Sequence, residues 1–154
     1  MIRKLSLVFV AIFIFLVPFT VTGQDCSESY KNGDCKMDVH KGYKTFSQSR
    51  GYTVTPKDTV ELNVVFYGQK DYIFTFCTDK ELYPIHYQII DSETGTLIYD
   101  NKEDRYIESL VIGLDVTKNL TFKINALASL ETIPVETTRS GCLGVFFQYR
   151  SYGD

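Results

Sequence analysis

After residue 42, apolar side chains recur at nearly every second position, a spacing that suits extended strands with one buried face. In "TVELNVVFY", Val60, Leu62, Val64 and Phe66 alternate with Glu61, Asn63 and Val65. "DYIFTFC" places Tyr72, Phe74 and Phe76 on one face, and "YPIHYQIID" does the same with Ile85, Tyr87 and Ile89. "NLTFKINAL" and "CLGVFFQYR" repeat the pattern through Leu120, Phe122, Ile124 and Ala126, then Leu143, Val145, Phe147 and Tyr149. "YKTFSQSRGYTV" supplies one further strand weakened or bulged at Gly51, while "RYIESLVIG" reads as a strand or a short helical turn. About eight short strands without an amphipathic helix predict an all-β fold, an antiparallel β-sandwich of jelly-roll type.

The connections carry turn chemistry. "GQK" at residues 68–70 reads as the tight turn of a hairpin joining the first two strands. "DSETG" between "HYQII" and "TLIY" reads as a second hairpin tip, because Asp91 and Ser92 can bond nearby N–H groups and Gly95 tolerates positive φ. The competing reading is a calcium loop. Asp91 and Glu93 begin that pattern, but Gly95 comes one place early and Lys102 stands where a bidentate Glu is needed. Residues 128–141 have no period and form a long connection.

The N-terminus says where such a chain travels. Arg3 and Lys4 precede the apolar run "LSLVFVAIFIFLVPFTV", and "VTG" ends in small residues before Gln24, so residues 1–23 read as a secretory signal peptide rather than an uncleaved anchor. Removing 23 of the 154 residues leaves 131, organised as an N-terminal segment (24–42) and a β-sandwich domain (43–154). The loss of Arg3 and Lys4 takes the formal charge from −3 to −5. A mildly acidic chain without a basic block excludes nucleic acid, and contact with a membrane is expected only during export to the periplasm, cell surface or medium. Cys26, Cys35, Cys77 and Cys142 make an even count, hence two disulfides in an exported chain. The turn signal Asn32-Gly33 favours Cys26–Cys35, leaving Cys77–Cys142. A redox role would want Cys-x-x-Cys, which is missing.

Catalytic chemistry is hard to place. His40 lies in the polar N-terminal segment and His86 within a strand, and no nucleophile or phosphate-loop motif accompanies them. Asp100, Glu103, Asp104 and Glu108 cluster beside the second hairpin and read as solvated acids, with Asp91, Asp100 and Asp104 as weak calcium candidates. Asn119-Leu120-Thr121 matches a glycosylation sequon. No catalytic residue and no cofactor is expected.

Binding is better supplied with residues. Tyr30, Tyr43, Tyr52, Tyr67, Tyr83, Tyr99 and Tyr106 fall in or near loops and strand ends, where tyrosine serves both protein interfaces and sugar rings. Of these, Tyr67, Tyr83, Tyr99 and Tyr106 are the candidate binding surface. Some strands are apolar on both faces, so Val65, Ile73 and Phe146 need a cover from the N-terminal segment, the long connection or a partner.

From residue 59 to 150 the order "DYIFTF", "YQIIDSETGTLIYDN" and a last strand after Gly141 resembles the prepeptidase C-terminal and related jelly-roll modules of exported bacterial proteins. More broadly, the chain looks like small exported proteins of Bacteroidota-type bacteria. The first resemblance implies a hairpin that is not catalytic, and neither implies a particular activity. The expected function is therefore an exported binding or accessory protein of the cell envelope that contacts an envelope or extracellular protein. The alternative is glycan or small-ligand binding through the loop tyrosines.

Overall fold

The structure, a computed structural model, describes residues 25–31, 35–56, 58–128 and 140–153. The signal-peptide reading, the Asn32-Gly33 turn and most of the 128–141 connection lie outside them.

Among the described residues nine strands follow in chain order: β1 (Lys44–Thr45), β2 (Arg50–Val54), β3 (Thr59–Phe66), β4 (Lys70–Thr78), β5 (Ile85–Asp91), β6 (Leu97–Asp100), β7 (Ser109–Leu114), β8 (Lys118–Ala126) and β9 (Gly141–Ser151). One antiparallel sheet holds β1 and β2 end to end along one edge of β9, then β4 and β7; the other runs β3-β8-β5-β6. Counting β1 and β2 as one interrupted strand, each strand pairs with its mirror image in chain order: first with last, second with seventh, third with sixth, fourth with fifth. A long hairpin wrapped across two sheets in this way is a jelly roll.

That topology corrects the first hairpin expectation. β3 pairs with β8, and β4 with β9 and β7, so residues 67–69 cross between sheets instead of turning within one. Alternation specifies a strand's buried face but not its neighbour. Pairing β3 with β4 would place Phe66 beside Tyr72 and Phe74 on one sheet face. Crossing over sets them against each other, with Phe66 centroids 4.9 Å from Tyr72 and 4.8 Å from Phe74. These rings, with Phe122 and Phe147, form an aromatic core whose members are fully buried. The apolar faces read from β3, β4, β5, β8 and β9 all point into it, and "SLVIGL" is strand β7.

The β5–β6 hairpin is as expected. Asp91 N–H donates to Thr96 O, Gly95 N–H donates to Asp91 O, and the Asp91 carboxylate accepts the N–H groups of Glu93 and Thr94. Gly95 sits at φ +70°, the left-handed conformation the turn requires.

The outer face of β9 explains why this strand is apolar on both sides. Residues 26–31 and 35–43 lie along it as a strap. Tyr30 stacks on Phe146 at 5.7 Å, Gln148 Oε1 accepts His40 N–H at 2.6 Å, and the Arg150 guanidinium lies 5.0 Å over the Tyr43 ring. Phe146 is thereby buried, as is Ile73, while Val65 stays exposed.

Two disulfides hold the strap, and their pairing overturns the sequence expectation: Cys26 bonds Cys142 and Cys35 bonds Cys77. The reason lies in the register. Cys77 faces Gly144 across the β4–β9 ladder, so Cys142 stands two residues along, on the diagonal. Diagonal neighbours are roughly 7–8 Å apart, beyond the reach of a disulfide. Each strand cysteine takes a strap cysteine instead. Such bridges form in oxidising compartments and are more typical of exported than of cytosolic proteins.

Candidate functional site

Two places gather the residues singled out by sequence. The first surrounds β6. Asp100 Oδ1 lies 2.8 Å from His86 Nε2, and its Oδ2 accepts Gln88 Nε2–H at 2.7 Å. Burial works to raise the Asp100 carboxyl, yet hydrogen bonds from Gln88, the Lys102 N–H and His86 together hold it below its ordinary value. Tyr106 meets the His86 ring edge-on at 6.1 Å, from a loop in which Arg105 and Tyr106 both have positive φ. Asn101 clamps that loop. Its fully buried side chain accepts Tyr87 N–H and donates to Ile85 O and Ile107 O, standing in for a strand partner along β5. Tyr99 donates to Asp104 at 2.7 Å, and burial followed by this carboxylate pushes the phenol up to about 12.

The calcium candidates are not brought together. Asp91 is at the hairpin tip, where Lys118 Nζ lies 2.7 Å away, and Asp100 and Asp104 are committed to their own partners. Among the described residues no group of three His, Cys, Asp or Glu side chains is placed to hold a metal ion. Glu103 and Glu108 are exposed. A carboxylate and a ring edge orient the His86 imidazole but supply no nucleophile. Asn119 lies within β8 with its Oδ1 buried. Tyr83 packs half-buried against the core, as does Tyr52, and Tyr30 and Tyr43 serve the strap.

The second place is a cleft of 260 Å³ at one end of the sandwich, lined by Thr45, Phe46, Ser47, Tyr67, Lys70, Tyr72 and Tyr149. Its floor comes from the break between β1 and β2. Thr45 pairs with Gln148 and Arg50 with Val145, so the chain carries two extra residues there. Buried Ser49 repairs the ladder by accepting Phe147 N–H at 2.9 Å, with its Oγ 2.8 Å from Phe46 O. Phe46 is turned inward against Phe66, Tyr72 and Tyr149. Gly51, expected to mark the bulge, serves another need: Cys26 O passes where its Cβ would stand.

Tyr67 forms the outer wall. It is 57% exposed, yet its carbonyl accepts Tyr72 O–H at 2.9 Å. Gly68 lets this connection press on Asp115 and Val116, whose backbone atoms would lie 2.7–2.8 Å from a Cβ. Gln69 Nε2 and Gly68 N–H then bond Asp115 O and Thr117 Oγ1. Lys70 Nζ sits 5.4 Å over the Tyr149 ring and 3.3 Å from Ser151 Oγ. Of the four candidate tyrosines, Tyr67 alone lines this cleft. Phe46, Lys70, Tyr72 and Tyr149 escaped sequence reasoning because alternation assigns such residues to the core or to solvent.

Comparison with known proteins finds no matching family model, no similar curated protein and no similar solved structure.

Proposed function

We propose that this chain is an exported, non-catalytic binding protein of the cell envelope that holds a small ligand in the aromatic cleft, a single sugar unit of a glycan being the best fit. The carrying observation is the convergence of Tyr67, Tyr149 and Phe46 with Lys70, Thr45 and Ser47 around one 260 Å³ space, with the buried Tyr72 behind them. Ligand sites combine aromatic walls with a few polar groups in this way, and drug-sized ligands occupy roughly 300–1,000 Å³. The smaller volume suits one ring or a chain end. Tyrosine faces stack on sugar C–H groups, while Thr45, Ser47 and Lys70 offer hydrogen bonds. The disulfides and the signal-peptide reading agree with export.

A protein partner is the second reading, and one observation favours it. Val111 is 63% exposed on β7, the last strand of its sheet. The other motive for a partner has weakened, since the protein's own strap covers Phe146. Thermal-shift and NMR titration with mono- and oligosaccharides of host and cell-wall type tests the first reading. Binding that is lost in Tyr67→Ala supports it, and a flat response across the panel overturns it. In-cell cross-linking that captures one dominant protein through β7 favours the second.

A further inference from the structure

Resting on the cleft as a ligand site, we infer that its ligand is anionic: a sugar unit carrying a carboxylate or sulfate ester, with the negative group on the Lys70 ammonium.

The charge balance of the cleft carries this inference. Lys70 is the one charged side chain among its lining residues, and the remaining groups are aromatic rings and hydroxyls. Four cations among the described residues have a carboxylate within 4.0 Å. Arg150 has Asp71, Lys118 has Asp91, Lys31 has Glu28 and Lys123 has Glu61. The contacts of Lys70 are instead the Ser151 hydroxyl and the π-face of Tyr149. Both hold an ammonium in place without neutralising it. Lys70 is also half-buried, so part of its hydration has already been given up to the protein. Neutral ligands would gain only hydrogen bonds here. An anion gains a charge-assisted bond at a site already walled by aromatic rings.

The body of the ligand is set by what surrounds Lys70. Thr45 and Ser47 lie on the β1 side of the space and Tyr67 on the opposite connection, so hydroxyl-rich and C–H-rich surfaces both find complements. A bare inorganic anion would leave Tyr67 without a contact. A pyranose with one acidic substituent uses both halves of the cleft.

The test is calorimetric titration of the folded, disulfide-intact chain with galacturonate and glucuronate, with galactose 6-sulfate, and with galactose and glucose. The expected result is binding of an acidic sugar at least about tenfold tighter than its neutral parent, the factor a charge-assisted hydrogen bond supplies. This preference should fall to near unity in Lys70→Gln and survive in Lys70→Arg. The uronates and the sulfate ester separate the two sources of charge. Equal binding of acidic and neutral sugars at the cleft overturns the inference and leaves the sugar-binding reading standing. Inorganic sulfate binding as tightly as the sugars overturns it too, because the ring would then contribute nothing. No binding by any sugar, acidic or neutral, removes both.

Discussion

Replacing Gly51 by Ala should be among the most damaging single-methyl changes in this protein, and the damage should depend on a disulfide. A Cβ at Gly51 would stand 1.7 Å from Cys26 O, 2.4 Å from Ser29 Oγ and 2.9 Å from the Cys26 carbonyl carbon. Backbone cannot rotate away as a side chain does, so the strap must lift by more than an ångström, and Gly51 N–H loses its 3.0 Å bond to Ser27 O. Overpacking costs about 1–3 kcal/mol and a lost hydrogen bond about 1 kcal/mol, giving about 2–4 kcal/mol together. With a urea slope of about 2 kcal/mol/M, the midpoint should fall by about 1–2 M. The Cys26–Cys142 bridge closes a separation of 116 residues. By loop-closure entropy, removing it costs about 4.8 kcal/mol. Once Cys26→Ala and Cys142→Ala free the strap, it can withdraw from Gly51, and the further cost of Gly51→Ala should drop below about 1 kcal/mol, a plain failure of additivity. Urea denaturation of the four proteins reads all of this. A Gly51→Ala protein that melts like wild type, or a cost unchanged without the disulfide, would refute the strap geometry.

Three further outcomes are expected. Non-reducing peptide mapping should recover Cys26 linked to Cys142 and Cys35 linked to Cys77; a Cys26–Cys35 peptide would contradict the fold. Asn101→Ala leaves the buried Tyr87 N–H and Ile85 O, and the less buried Ile107 O, without their partner, so stability should fall by at least about 2 kcal/mol in urea melts, at about 1–3 kcal/mol for each of the two buried groups. The Asp91 carboxyl is held at about 2 by Lys118 first and by the turn N–H groups of Thr94 and Glu93, against an ordinary value of 3.8. A depressed folded value means that its stabilisation is complete above about pH 4 and disappears as pH falls towards 2. Thermal melts of Asp91→Asn should therefore lose less stability across that window than wild type.

Which parts of this molecule could be read from its residues follows from the range of the forces involved. Alternation is local, so Val64, Phe66, Phe74 and Phe122 announce their buried faces wherever their strands sit. Turn chemistry is local too, and Asp91 with Gly95 was enough to specify the β5–β6 tip. Pairing is not local. Nothing in "FYGQKDY" distinguishes a hairpin turn from a crossover between sheets; only the demand that Phe66 oppose Tyr72 and Phe74 does so. The cysteines failed for the same reason, since the partner of Cys77 depends on its standing opposite Gly144 rather than Cys142. The cleft was the least legible feature. It joins residues 45–47, 67–72 and 149 through a two-residue irregularity that Ser49 repairs. A Ser in a polar stretch carries no sign of that work. Tyr67 was visible as a loop tyrosine; Lys70 looked like any surface lysine.

The most direct measurement on the central claim is an NMR titration of the isotopically labelled, disulfide-intact protein with neutral and acidic sugars. Saturable shifts confined to Thr45, Phe46, Ser47, Tyr67, Lys70 and Tyr149, absent in Tyr67→Ala, are the expected result. Shifts that centre on His86, Gln88 and Asp100, or no saturable shift with any sugar, would contradict the assignment of the cleft.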